Sequence, residues 1–170
     1  MGRTYRVPSF SELYLQQGIL APNPLLRPEV GVGGDGALVL DTPAATASLG
    51  AFATVYEDLI VYQAVSFRRL APVNTDRSLV RGVEAEVATA PLRRAAGLTL
   101  QGAYTYTESQ VLRGKEDVLG KDLPRKPRHR LYARIGVGGP LAEAHGETQW
   151  ISQQWLGVGR TAPIPEPEIH

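Results

Sequence analysis

The clearest signal along the chain is alternation. In residues 98–107, Leu98, Leu100, Gly102, Tyr104 and Tyr106 fall on one face and Thr99, Gln101, Ala103, Thr105 and Thr107 on the other, which is the period of two that a half-buried strand gives. Residues 81–88 repeat it, with Val83, Ala85 and Val87 opposed to Gly82, Glu84 and Glu86. A third run sets Leu131, Ala133, Ile135 and Val137 against Tyr132, Arg134 and Gly136. Residues 30–40, 48–61 and 147–158 alternate less cleanly, and in 48–61 both faces are mixed, so its orientation stays open. Few windows repeat at helical spacing. The pattern predicts an all-β chain of about six antiparallel strands joined as a meander.

The predicted connections differ in length. Residues 41–47, 89–97 and 139–146 make the shorter ones, 8–29 and 111–128 the longer and more polar ones, and 66–75 lies between. Outer-membrane barrels pair short turns on one side with long loops on the other, and their strands need about nine to eleven residues to cross at a tilt. A soluble β-sandwich shows the same alternation, so periodicity alone leaves both architectures open.

Composition narrows the field. Charge is nearly balanced, 18 basic residues against 17 acidic, which argues against a dedicated nucleic-acid surface. The absence of cysteine excludes a disulfide framework and thiolate metal sites. No window holds the roughly eighteen uninterrupted apolar residues of a membrane helix, so a membrane-spanning reading requires strands. Met1-Gly2-Arg3-Thr4 begins without a leader pattern and the proline-rich last ten residues read as an exposed loop, so both ends are expected to be cuts within a longer chain.

The first thirty residues carry a resemblance. Arg6-Val7-Pro8-Ser9-Phe10-Ser11-Glu12-Leu13-Tyr14, followed by Asn23-Pro24-Leu25-Leu26-Arg27-Pro28-Glu29, resembles the R-x-P-S-F-x-E-L-Y … N-P-x-L-x-P-E signature of TonB-dependent outer-membrane receptors. Phe52 to Ile60, ending in Asp58-Leu59-Ile60, is similar to an aromatic-rich strand of that family. Asn74 with Gly82-Val83-Glu84-Ala85-Glu86 is similar to its N … G-x-E-x-E strand, and Tyr104 to Thr107 and Leu123 to His129 continue the likeness. Asp35-Gly36 stands where Glu-Gly is commoner in the family.

The resemblance implies a partial slice of a large transmembrane β-barrel, of about 22 strands in the whole receptor, with the plug domain and the closing strands absent from residues 1–170. It implies a receptor in the outer membrane that takes up a scarce small molecule of the ferric siderophore or cobalamin class. Its partners would then be outer-membrane lipid and TonB, the latter through the missing plug region. Tyr14 and Gln16 are the loop candidates for ligand contact. The alternative is a soluble β-sandwich binding module, with carbohydrate as one possible ligand.

Other motifs invite chemistry and find plainer readings. Gly31-Val32-Gly33-Gly34-Asp35-Gly36 matches the dinucleotide fingerprint, but a proline-rich loop precedes it and no helix follows, so a glycine-rich strand is expected and no cofactor. The run Arg125-Lys126-Pro127-Arg128-His129-Arg130 has no interleaved aromatic platform, and reads as a basic loop at a strand entrance suited to lipopolysaccharide phosphates. His129, His145 and His170 lack metal-ligand spacing. No catalytic motif is present, and Glu84 and Glu86, two apart on one strand face, are expected to line a wet lumen rather than act as acid and base. Tyr104, Tyr106, Trp150 and Trp155 are expected as aromatics of a membrane interface girdle.

Overall fold

In the computed structural model the described residues are 1–66, 68–92, 97–114, 116, 119–139, 142–157 and 161–164. Strands dominate: β1 (Gly2–Arg6), β2 (Glu29–Asp41), β3 (Ala45–Ser66), β4 (Arg69–Thr89), β5 (Thr99–Arg113), β6 (His129–Gly138) and β7 (Glu143–Ile151). Among the described residues these seven form one antiparallel sheet in sequence order, β1 through β7, and β8 (Gln154–Gly157) pairs with β9 (Thr161–Ile164) in a separate two-stranded ribbon. One short helix, α1 (Phe10–Tyr14), stands in the loop between β1 and β2. The seven-stranded sheet is a single layer whose edges, β1 and β7, do not pair with each other. That is an open single-layer meander and not the sandwich, which needs two packed sheets.

Register decides which residues share a face, because opposed residues in antiparallel strands point the same way. Val83 lies opposite Ala51 and Tyr106, Ala85 opposite Leu49 and Tyr104, and Tyr104 opposite Leu131, which in turn faces Trp150. One face therefore carries an unbroken apolar field, from Leu38 and Leu40 on β2 to Ile135 and Val137 on β6. The other face carries Asp41 and Thr46, Ser48 and Glu86, Gln101 and Arg134, and Tyr132 and Gln149. Residues 48–61, ambiguous by pattern, are oriented by this pairing: Leu49, Ala51 and Ala53 join the apolar side.

The strands outrun their predicted bounds at one end. β3 has 22 residues, about 70 Å at the usual rise, roughly twice what a membrane strand requires. The expected connection at 66–75 is instead mostly β4, so that β3 and β4 continue as a hairpin well past the neighbouring strands. Around this extension lies the buried core: Leu59, Val61, Val111 and Leu123, with Tyr56, Val73 and Val80 packed against them. The hydrophobic centre thus sits among the long loops and not in the middle of the sheet. Two further expectations change: α1 appears within the stretch expected as loop, and the 147–158 run divides into β7 and β8 at Ser152–Gln153; the seven strands of the sheet accord with the six or so expected. Residues 161–164, expected as loop, are β9, while Val158 and 165–170, including His170, lie outside the described residues.

Candidate functional site in a two-faced sheet and its loop clamp

The apolar face is exposed along its whole width. Leu49, Val87 and Ile135 keep 58%, 46% and 54% of their surface open, an arrangement that water penalises at about 25 cal/mol per Å² and that hydrocarbon does not. The face changes character toward the long-loop end. Arg81 Nε donates to Glu108 Oε2 at 2.8 Å, Tyr104 Oη lies 2.7 Å from His129 Nδ1, and the rings of Tyr106 and His129 stand 5.3 Å apart. Aliphatic rows bounded by tyrosines, then by charge, follow the polarity profile of a bilayer leaflet. Tyr104, Tyr106 and Trp150 take the girdle position that the sequence predicts. Trp155 does not, because it belongs to β8 and the loops, where its carbonyl accepts from Arg125 N.

The polar face is wet and close-fitting. A shallow cavity of about 290 Å³ is lined by Thr46, Ser48, Glu86, Gln101 and Tyr132, and Tyr132 Oη donates to Glu147 Oε2 at 3.1 Å. Glu84 and Glu86 are exposed here, opposite Gly50 and Ser48 of β3, on the face where a carboxylate keeps its water. Glycine has a packing purpose at two points: a Cβ on Gly82 would stand 2.7 Å from the Phe52 ring, and one on Gly31 2.8 Å from that of Tyr56. The dinucleotide-like run 31–36 is accordingly interior strand β2, with the Tyr56 ring lying across Gly31 and Thr54 against Gly33.

At the long-loop end the signature residues form a clamp. Ser9 caps α1: its Oγ accepts from Glu12 N, and Ser9 N donates to Glu12 Oε2 at 2.7 Å, a capping box. Glu12 is buried, and burial alone would raise its pKa, but hydrogen bonds from Ser9 N–H and Oγ and the Arg6 guanidinium outweigh that and hold its carboxyl below the usual range. Arg6 also donates to both oxygens of Glu29, and Oε2 accepts in addition from Ile60 N at 2.9 Å, which satisfies an edge donor of β3. Farther along, Asn23 Nδ2 donates to Pro72 O. Asn74 accepts from Arg27 N through Oδ1 and donates to Arg27 O and Asp58 O through Nδ2. Asp58, in the left-handed region at φ 56°, is a residue type that tolerates that conformation, and its carboxylate pairs with Arg27. Arg6, Ser9, Glu12, Asn23, Glu29, Asp58 and Asn74 thus seat loop 7–28 on the β3–β4 extension. The Ser9-to-Glu12 spacing was the visible signal for this helix, and sequence reasoning passed over it.

The predicted ligand candidates lie on that seated loop. Tyr14 is exposed and its ring tilts against Phe10, 5.5 Å between centroids; Gln16 is exposed two residues farther on, past the end of α1. In the basic run, Arg128 binds Asp122 and Arg125 lies over the Tyr62 ring at 5.8 Å. Among the described residues no group of His, Asp and Glu is placed to hold a metal ion.

Residues 2–163 match the family described as TonB dependent receptor-like, beta-barrel. The chain belongs to this family. Solved structures agree on the fold. The copper transporter OprC is 15% identical with a TM-score of 0.68 over 94% of this chain and 23% of its own. A variant of the ferric enterobactin receptor PfeA from Pseudomonas aeruginosa is 18% identical with a TM-score of 0.60 over 91% of this chain and 25% of its own. No curated protein matches. The chain spans about a quarter of the length of those two structures. Within a TonB-dependent receptor of the outer membrane, the apolar face is the lipid face, the polar face looks into the lumen, and no long apolar helix is needed.

Proposed function

We propose that the chain is a wall segment, with its long loops, of an outer-membrane receptor that imports a scarce small ligand of the ferric siderophore or cobalamin class. In this reading TonB supplies the energy through a plug region outside residues 1–170, and closing strands outside the segment complete the barrel. One observation carries the proposal: the parity of the strands sets an aliphatic lipid face against a lumen face bearing Glu84, Glu86, Gln101, Arg134 and Glu147, the arrangement of a pore wall and not of a packed core. Copper and ferric enterobactin are named for the two structural neighbours, which favours a metal-bearing ligand within the class. Tyr14 and Gln16 contact that ligand at the outer mouth, on a loop whose rigid seat holds them in place.

Uptake of labelled ferric siderophores, cobalamin and copper by cells with and without the gene encoding the intact receptor tests the reading. Uptake of one of them that vanishes on deletion, and equally on loss of TonB, is expected. Uptake of all three unchanged by deletion, or persisting without TonB, overturns it.

A further inference from the structure

We propose that Asp58 is a positioning residue that turns the β3–β4 extension inward, so that this stretch of the outer mouth is narrowed by the wall's own hairpin. The starting point is a change of burial along one face. Ser78, Val80 and Glu84 of β4 pair with Val111, Ser109 and Thr105 of β5, and alternation places all six on the lumen face. Glu84 is exposed, whereas toward the long loops Ser109 keeps 5% of its surface, Val111 2% and Ser78 none. Val111 owes its burial to a cluster with Leu59, Val61 and Leu123, against which Tyr56, Val73 and Val80 pack. The upper lumen row is thus covered from within this segment.

That packing requires the extension to exchange its faces. In β3 the odd-numbered Leu49, Ala51 and Ala53 are on the lipid side, and a straight strand would carry Leu59 and Val61 there too. They meet the lumen row instead. On β4 the same exchange brings Thr75 Oγ1 within 2.9 Å of Ser78 Oγ, although residues three apart on a straight strand point to opposite faces. No residue is inserted, since Glu57 pairs with Arg77 and Leu59 with Thr75. Between them stands Asp58, at φ 56° in the left-handed region, and its turn of the backbone supplies the exchange. Three fastenings hold the turn: Asn74 Nδ2 donates to Asp58 O at 2.7 Å, Thr75 Oγ1 donates to Leu59 O at 3.2 Å, and Arg27 pairs with the carboxylate. Aspartate, asparagine and glycine accept this conformation, and a β-branched residue does not. The inference rests on the receptor reading for its inner and outer faces and is independent of which ligand is imported.

Two cysteine placements in the intact receptor read the turn, with a folded barrel confirmed by heat-modifiable gel migration. A pair replacing Thr75 and Ser78, oxidised with diamide, is expected to close to a disulfide beside native Asp58, Asp58→Asn and Asp58→Gly, and to stay reduced beside Asp58→Val. A single cysteine replacing the buried Ser109 is expected to react with a membrane-impermeant maleimide on whole cells about tenfold faster beside Asp58→Val, the shift that the cost of a disfavoured left-handed residue gives. Asp58→Asn and Asp58→Gly are expected to keep it slow. Asp58→Ala, with a smaller penalty, takes the place of Asp58→Val if that variant does not reach the membrane folded. A pair that stays reduced beside native Asp58 overturns the exchange of faces itself. Wild-type disulfide and labelling beside Asp58→Val and Asp58→Ala overturn the role of Asp58, as does Asp58→Gly behaving like Asp58→Val, which would assign the effect to the pair with Arg27. None of these readouts involves uptake, so loss of the receptor reading would show separately, in uptake unchanged by deletion.

Discussion

Arg6 and Glu29 face each other across β1 and β2, and Arg6 Nε donates to Glu29 Oε1 at 2.9 Å while its Nη1 reaches Glu12 at 3.2 Å. One guanidinium thus joins the two ends of a long loop and the helix within it. Two residues far apart in the family signature are explained together: the motif is a fastening, and the loop it fastens is where ligand candidates sit.

Removing the fastening has a predictable cost. Arg6→Ala leaves the buried Glu12 carboxylate without its cation, which for a pair this exposed on the arginine side is worth about 1–2 kcal/mol of local stability after solvent screening. Limited proteolysis of the intact receptor is expected to cut within residues 15–20 several-fold faster in Arg6→Ala than in wild type, with the rest of the barrel unaffected. Identical cleavage rates would show that the backbone bonds of Ile19 and Ala21 to Leu70 hold the loop unaided.

Glu12 sets the pH response of the same loop. Its carboxyl is held below the ordinary value of 4.5, so its contribution to loop order is fully present above about pH 5. That contribution is lost only as pH falls through the depressed folded value, since the unfolded loop then takes up the proton first. Protease protection is expected to stay flat from pH 8 to pH 5 and to decline below pH 4.5. Glu12→Gln should remove that decline and lower protection at neutral pH; a decline beginning at pH 6 in wild type would assign the response to another group.

The fold was legible wherever a strand separates two solvents. In 81–88, 98–107 and 131–137 lipid on one side and water on the other enforce period two, and the structure keeps each of these strands. Pattern failed where both faces are covered. Leu59, Ile60 and Val61 are buried in succession because loops pack on either side of the β3 extension, so alternation disappears there. Residues 66–75 were expected as a connection, yet Leu70 directs both its N–H and C=O to Ile19 and Ala21, and by period two Pro72 turns its missing donor to that same edge, where no ladder bond is lost. In the candidate site, Tyr14 and Gln16 were visible only as loop residues; their setting depends on contacts between residues tens of positions apart, such as Arg27 with Asn74, which no local pattern encodes.

The orientation of the loop in the cell follows from the same reading. Loop 7–28 and the β3–β4 tip share one end of the sheet, and the tight turn at 42–44, where Thr42 Oγ1 and Ala45 bond reciprocally, is at the other. In whole cells, a cysteine replacing Gln16 in the intact receptor is expected to react with a membrane-impermeant maleimide, and one replacing Pro43 to be protected until the outer membrane is opened. The reverse pattern would invert the topology and place the Tyr14 and Gln16 candidates in the periplasm.

The sharpest test concerns β4, where the two solvents meet in alternate residues. Val83 and Val87 are exposed on the apolar face at 43% and 46%, and Glu84 and Glu86 on the opposite one. The Arg81–Glu108 pair marks the rim of the apolar band, and Val87 stands six residues along the strand from Arg81. At about 3.3 Å per residue and a tilt near 45° this is roughly 14 Å of depth, close to the middle of a band about 25 Å tall, whereas Val83 is only about 5 Å below the rim. Position within the band therefore predicts an order of costs. Val87→Arg should destabilise the intact barrel by about 2–4 kcal/mol, Val83→Arg by about 1 kcal/mol or less, and Glu84→Gln by less again, because a lumen carboxylate exchanges one hydrated group for another. Folding titrations into lipid vesicles measure all three. Equal costs at Val83 and Val87 would remove the depth assignment, and a negligible cost at Val87→Arg together with a gain in stability at Glu84→Gln would reverse the faces, since arginine in the lumen meets water and a carboxylate against lipid is better replaced by a neutral amide.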